Sequence, residues 1–524
     1  MTETASARER RWPGPVCLAP VAQTVVAYRA ALLMPPLNQD EGWYLYAARL
    51  FGEGLLPHRD FFYTQGLALP AVYGTLWPLW AHLGVLGGRL LSALFALTGL
   101  FLAGEGVARL FPEGSERRLA RLLLWALLGC GLYYVTFTAV PKAYALCTLI
   151  EAGAFAALGG ITGRERLPLR AAFAGLMLGL LPGVRLSMGI LLPVAGLWLL
   201  IRRRTLGDAP WLAFGMTALV GLAVVLGPEL FMLPGFLEAQ RFHLMREPAA
   251  GPLLSILGSL SRLVRGMPLL AAATLGFCCF LPEAARALGR ERFASVLLWG
   301  FSSVILTAVH LAAPVPYDDY LVPSLLPAAM AVATGLAALP SGDTFRRRFA
   351  LLALLAAAVV GIGGAAVAEG WIVIRQDRFW LTVKEEPDIL RLRRAAETVR
   401  SVAVEKGLPR VLWTQDTYLA VEAGMRVPRG LEMGPFGLTA AADAPDAPWA
   451  PLRTDRLAET YAEAGVAARS GYTFLLNAPR MTDLRQGGTR DALLDGLRRA
   501  FPEDVAVFPD FGQQHTTLTV AVKP

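Results

Sequence analysis

Leu37-Asn38-Gln39-Asp40-Glu41-Gly42-Trp43-Tyr44-Leu45-Tyr46-Ala47-Ala48-Arg49 follows the first apolar run of the chain, and Pro57-His58-Arg59-Asp60-Phe61-Phe62-Tyr63 leads into the second. A carboxylate pair therefore stands where an apolar helix ends. Behind it Trp43, Tyr44, Tyr46, Leu50 and Phe51 share one face at helical spacing. That pattern describes an interfacial helix lying along lipid headgroups with acids at its start. The same residues also fit a plain structural use, with Asp40 capping the helix and the aromatics anchoring it.

The flanking sequence fixes the solvent. A hydrophobic fraction of 55% with mean hydropathy +0.47 is too apolar for a set of soluble domains. Apolar stretches near the ~20 residues needed to cross hydrocarbon recur from Pro15 to Gly370. They fall at Pro15–Leu33, Gly66–Leu83, Leu90–Leu110, Arg121–Ala139, Ala143–Ile161, Arg170–Val184, Leu186–Ile201, Trp211–Leu233, Leu253–Leu281, Phe293–Ala313, Tyr320–Leu339 and Phe349–Ala368. The expectation is a mainly α membrane protein of about 11–13 transmembrane helices. Residues 1–370 form the membrane module, with a first outer loop at 35–66, and 371–524 form one soluble domain.

The net charge of +8 is not a nucleic-acid signature. From Trp371 onward 20 Lys+Arg meet 20 Asp+Glu, leaving 29 against 21 in the membrane part. There the excess gathers in Arg202-Arg203-Arg204 and Arg346-Arg347-Arg348, as the positive-inside bias gathers it in cytoplasmic loops. Counting from these anchors places 139–142, 182–185, 234–252, 314–319 and the C-terminal domain on the outer side. The first hundred residues do not fit the count: one span there is miscounted or does not cross. The five cysteines all lie in predicted membrane helices, so no disulfide or thiolate metal site is implied. The arginines before the first apolar run read as the cytoplasmic start of an uncleaved helix.

After residue 371 the pattern alternates. Helices are expected at Glu386–Lys406, Leu457–Ala464 and Arg490–Ala500, and strands at Arg410–Trp413, Tyr472–Leu476, Val505–Phe508 and Thr516–Val522. The alternation predicts a small α/β domain, without a phosphate-cradling glycine pattern.

The segment from Asp40 to Tyr73 resembles the first outer loop of the GT-C glycosyltransferases, a membrane superfamily that includes protein O-mannosyltransferases and the aminoarabinose transferase of lipid A. The shared features are the Asp-Glu pair after the first helix, the aromatic helix, a glycine turn and an Arg-Asp-Phe-Phe-like segment. The resemblance covers about 35 residues as motif and most of the chain as layout. It implies a GT-C-type bundle with an extracytoplasmic α/β domain, a polyprenyl-phosphate-linked sugar as donor and a glycan, lipid or protein hydroxyl as acceptor. Membrane lipids surround it, and no nucleic acid is involved. Asp40 would be the catalytic base and Glu41 would bind or orient the acceptor. Asp60 matches the second acidic position and orders the loop, with Arg59 at hand. A leaving phosphate needs cations more than a general acid. Arg185, between two apolar helices where charge is costly, is the first candidate for it. Lys142, the sole lysine before residue 384, is the second. Where aminoarabinose-type enzymes tend to carry Lys-Pro-Pro, this chain has Thr64-Gln65-Gly66-Leu67, so one donor-phosphate contact is missing or moved and the donor sugar is left open; Gln65 is a donor- or acceptor-binding candidate there. Tyr317, Asp318, Asp319 and Tyr320 resemble the family's Tyr-rich outer loop, and equally suit a solvated turn. Asp318-Asp319 admits a divalent metal, but no His or further carboxylate cluster supports one, so no cofactor is expected. Abundant Arg, Ala, Gly and Leu point to a GC-rich bacterial genome, and with it to a bacterial cytoplasmic membrane.

Two other classes compete. A lipid or sugar transporter or flippase also needs many helices, but inverted repeats and midplane breaks are missing. A non-catalytic scaffold binding through the outer domain requires none of these charges.

Overall fold

The computed structural model describes residues 14–160, 167–244, 252–313, 318–339, 384, 386–439, 447–471, 473, 487–513 and 515–524. Helix α1 (Gly14–Leu33) stops before Pro35-Pro36, and α2 (Gln39–Gly52) starts three residues later. Asn38 is the cap of α2. Its side chain accepts the Asp40 N–H at 2.9 Å, and Glu41 reaches back to the Asn38 N–H at 2.8 Å, a capping box. Asp40 is therefore not consumed by capping.

The expected span Gly66–Leu83 does not form one helix. It divides into α3 (Ala68–Thr75), a turn at Trp77–Trp80 and a 3₁₀ turn at Ala81–Leu83, before α4 (Gly84–Ala108). Eight residues make about 12 Å of helix, too short for a ~30 Å hydrocarbon layer. The crossing is instead the single run Trp77–Ala108. The loop near Phe111 lies at the far end of α4 from α2.

The bundle continues with α5 (Ser115–Gly129), α6 (Leu132–Ala139), α7 (Ala143–Leu158), α8 (Leu167–Val184), α9 (Leu191–Ile201), α10 (Ala209–Phe231), α11 (Leu233–Leu244), α12 (Pro252–Gly266), α13 (Pro268–Cys279), α14 (Leu281–Leu311) and α15 (Val322–Ala337). Among the described residues five helices are long and apolar enough to cross a membrane, and up to seven if each bent pair, α5 with α6 and α12 with α13, is one span. The chain is a multi-pass membrane protein. Expected span Phe349–Ala368 and the boundary at 370/371 lie outside the described residues.

One seam places the site. Gly175, Gly179 and Gly183 recur every four residues along α8, where small residues let membrane helices approach closely. A Cβ on Gly175 would meet the Phe214 carbonyl oxygen of α10 at 2.2 Å, and one on Gly179 the Ala218 oxygen at 2.4 Å. At the end of this seam the chain leaves the helix at Arg185, in extended conformation. Gly66 packs there too: a Cβ on it would lie 2.1 Å from the Gly183 oxygen.

The C-terminal region comprises α16 (Asp388–Glu405), β1 (Leu412–Trp413), α17 (Thr417–Ala423), β2 (Leu438–Thr439), β3 (Leu452–Arg453), α18 (Leu457–Glu463), β4 (Val466–Arg469), α19 (Gly487–Ala500), β5 (Glu503–Phe511) and β6 (Thr516–Val522). Its sheet has the order β1-β4-β6-β5, with β1 parallel to β4 and the other pairs antiparallel. An α/β domain forms as expected. A strand forms at Val466–Arg469; the expected strand Tyr472–Leu476 lies, apart from Thr473, outside the described residues.

The aromatic stripe of α2 does not lie on headgroups. Trp43, Tyr44, Tyr46 and Leu50 are all buried, because the C-terminal domain covers part of the helix. Trp43 meets Phe436 edge-on at 6.3 Å, and the Tyr46 hydroxyl accepts the Val427 N–H at 2.9 Å. Arg49 donates to the Met425 carbonyl at 2.7 Å and to those of Ala420 and Gly424 at 3.4 Å. A cation thus sits at the carbonyl end of α17, where the helix dipole favours it.

Candidate functional site

Asp40 opens toward the helix bundle. One oxygen lies 2.7 Å from Lys142 Nζ, and the same ammonium lies 2.8 Å from Asp319. Lys142 stands at the start of α7 and Asp319 in the turn before α15. Lys142 is 4% exposed, whereas the Asp40 side chain is 32% exposed, so the pair is reached from one side. Burial opposes the lysine's charge, but Asp319 and Asp40 outweigh it and hold the ammonium above its ordinary range. Trp43 Nε1 approaches the other oxygen of Asp40 at 3.4 Å.

Arg185 completes the cluster. Its guanidinium lies 4.3 Å from the ring centroid of Tyr320 and 5.3 Å from that of Tyr144, in cation–π range. It donates to the Tyr144 hydroxyl and to Ser187 Oγ, both at 3.2 Å. Ser187 is in turn 2.8 Å from His310 Nε2. Among the described residues no carboxylate pairs with Arg185. The aromatic ring faces hold this charge in place while leaving its N–H groups capacity for an anion.

Glu41, expected beside the acceptor, faces the opposite way. It is fully buried; Arg89 Nη2 meets one oxygen at 2.7 Å and Nε the other at 2.8 Å. Arg89 also donates to the Leu32 carbonyl at 3.0 Å, tying the end of α1 to the start of α2. This ion pair positions the turn that carries Asp40.

Asp60 orders its loop, accepting the Leu56 N–H at 2.7 Å and pairing with Arg59 at 2.7 Å. Arg59 holds its carboxyl below the usual range. Gln65 meets His243 at 3.1 Å, and His243 also meets the Thr64 carbonyl at 2.7 Å. Glu229 pairs with His58 at 2.5 Å and accepts the Leu67 N–H at 2.9 Å. These groups form a second cluster around residues 57–67. Tyr317 and the side chain of Asp318 lie outside the described residues.

The structure thus gathers Asp40, Lys142, Asp319, Tyr320 and Arg185, and adds Tyr44, Tyr144, Ser187 and His310. Tyr144, two residues after Lys142, was findable as a polar aromatic beside a lone cation. Ser187 and His310 gave no signal.

No family model and no curated protein sequence matches this chain. Among solved structures, ArnT from Cupriavidus metallidurans bound to undecaprenyl phosphate aligns with a TM-score of 0.58 and 13% identity, covering 97% of this chain and 98% of that one. The chain shares the fold of this ArnT. The apo form of the same ArnT gives 0.58 with 15% identity over the same shares. The archaeal oligosaccharyltransferase AglB from Archaeoglobus fulgidus, in complex with an inhibitory peptide and a dolichol-phosphate, gives 0.48 with 11% identity, over 95% of this chain and 73% of that one. In this fold the cluster is built from the helix α2, the junctions at 142 and 185 and the turn before α15.

Proposed function

We propose that the chain transfers a sugar from a polyprenyl-phosphate donor to an acceptor hydroxyl at the outer face of a bacterial cytoplasmic membrane. The observation that carries this reading is Arg185, a partly exposed cation without a carboxylate partner among the described residues, in one cluster with Asp319 and, through Lys142, with Asp40, a carboxylate that is open on one side. The bound undecaprenyl phosphate named for the ArnT structure of like fold supports the donor class.

In this reaction the acceptor oxygen bonds to the anomeric carbon as the bond from that carbon to the phosphate oxygen breaks. The electron pair leaves on the polyprenyl phosphate, which Arg185 meets. The hydroxyl proton goes to Asp40. Tyr144 and Tyr320 hold the guanidinium, Asp319 and Lys142 hold Asp40, and Glu41 with Arg89 fixes the turn beneath it.

Purified chain and undecaprenyl-phosphate sugars test the reading by release of undecaprenyl phosphate. Asp40→Asn is expected to abolish release while insertion and melting stay those of the parent. Turnover retained in Asp40→Asn would remove the base assignment, and no turnover with any prenyl-phosphate sugar would remove the reaction.

A further inference from the structure

We propose that Lys142 is a built-in cation that takes the place of a divalent metal between Asp40 and Asp319. Two carboxylates converging on one point form the beginning of a hard-cation site. Here the point holds an ammonium, 2.7 Å from Asp40 and 2.8 Å from Asp319, on a side chain that is 4% exposed. Among the described residues no three His, Cys, Asp or Glu side chains converge elsewhere.

Charge balance favours the lysine. Asp40 and Asp319 against Lys142 and Arg185 make a neutral set before any substrate arrives. A divalent ion entering this set would have to expel the ammonium or lie beside two cations in a largely buried space, where like charges repel strongly. The lysine also leaves something a closed carboxylate pair lacks. An ammonium has three N–H groups, and two are directed at the acids, so the third is available to a phosphate or sugar oxygen. Its stem is fixed by burial, with Nζ 5.6 Å from the centroid of the Phe137 ring. Lys142 thus joins the two acids, orients Asp40 and adds positive charge beside the leaving group, three tasks that a metal performs in other transfer sites.

This inference rests on the transferase reading only for its effect on turnover, so its main test omits sugar. The full chain in detergent is titrated with Mn²⁺ and followed by electron paramagnetic resonance. The parent should bind no Mn²⁺ that Asp40→Asn or Asp319→Asn removes. Lys142→Ala should gain one saturable Mn²⁺ that is lost again in Lys142→Ala/Asp319→Asn. Turnover should fall about 10²- to 10³-fold in Lys142→Ala and recover in part with Mn²⁺, while chelators leave the parent unchanged. Parent binding of Mn²⁺ that depends on Asp40, or a folded Lys142→Ala that binds none, overturns the proposal. Where Lys142→Ala does not fold, the parent titration alone supports or overturns it. Metal gained without any sugar transfer would sink the transferase reading and leave the lysine assignment standing.

Discussion

The first outer segment divides at its glycine turn into two regions equally rich in charge. In residues 38–52 Asp40 shares a lysine with Asp319 and keeps an exposed edge, beside an arginine held mainly by aromatic rings. In residues 57–67 His58 closes on Glu229, Gln65 on His243 and Asp60 on its own loop. Both regions would be marked as motif by residue type. What separates them is where the charge goes: the first keeps an open carboxylate edge and an arginine with no carboxylate partner among the described residues, while in the second Asp60 closes on its own loop and Glu229 on His58.

Four measurements would break or sharpen that contrast. The largest effect belongs to the buried pair behind Asp40. Arg89→Met leaves Glu41 buried without its cation and should cost about 3–5 kcal/mol of stability, seen as lost expression and a lower melting temperature, with Arg89→Met/Glu41→Met recovering most of it. Arg185→Ala should lower turnover about 10²- to 10³-fold, whereas Gln65→Ala should stay within about two-fold; equal losses would erase the distinction between the regions.

A third acid is buried in the C-terminal domain. Glu432 is 9% exposed, and burial pushes its carboxyl up to about 7 despite the Gly430 N–H it accepts. The folded chain therefore holds a proton that the unfolded chain releases near its ordinary range. The resulting stability is present at low pH and lost as pH rises through about 7, a change of ~3 kcal/mol at most. Melting temperatures between about pH 5 and about pH 8, from roughly two units below the transition to roughly one above it, should fall with pH in the parent and lose that component in Glu432→Gln. The smallest effect is expected at Asp60, whose partner Arg59 is exposed. Asp60→Asn should move the melting temperature by no more than about 2 °C.

Much of the candidate site was legible because it depends on local pattern. A lone lysine among arginines, an arginine at a junction of apolar helices and an acid pair at a helix start are visible one segment at a time, and Lys142, Arg185 and Asp40 were found that way. Pairing across long separations was not. Glu41 and Asp40 are adjacent and chemically alike, and only the position of Arg89 on α4 assigns one to the interior. The expected span at Gly66–Leu83 failed for a related reason: its composition is apolar enough to cross, yet the helix breaks at Leu76, between α3 and the run Trp77–Ala108, and apolarity does not record breaks. The aromatic stripe of α2 was read correctly as an apolar face, but its cover was misassigned, since lipid and a protein domain select the same residues.

That cover has a consequence in time. Tyr46 bonds to a backbone group 381 residues further along the chain. At synthesis rates of about 5–20 residues per second, roughly 20–75 s pass between the making of the helix and the making of its lid. Through that interval Trp43, Tyr44 and Tyr46 are without the cover that the C-terminal domain gives them in the finished fold. The helix that carries Asp40 is thus completed last, by the part of the chain that is made last.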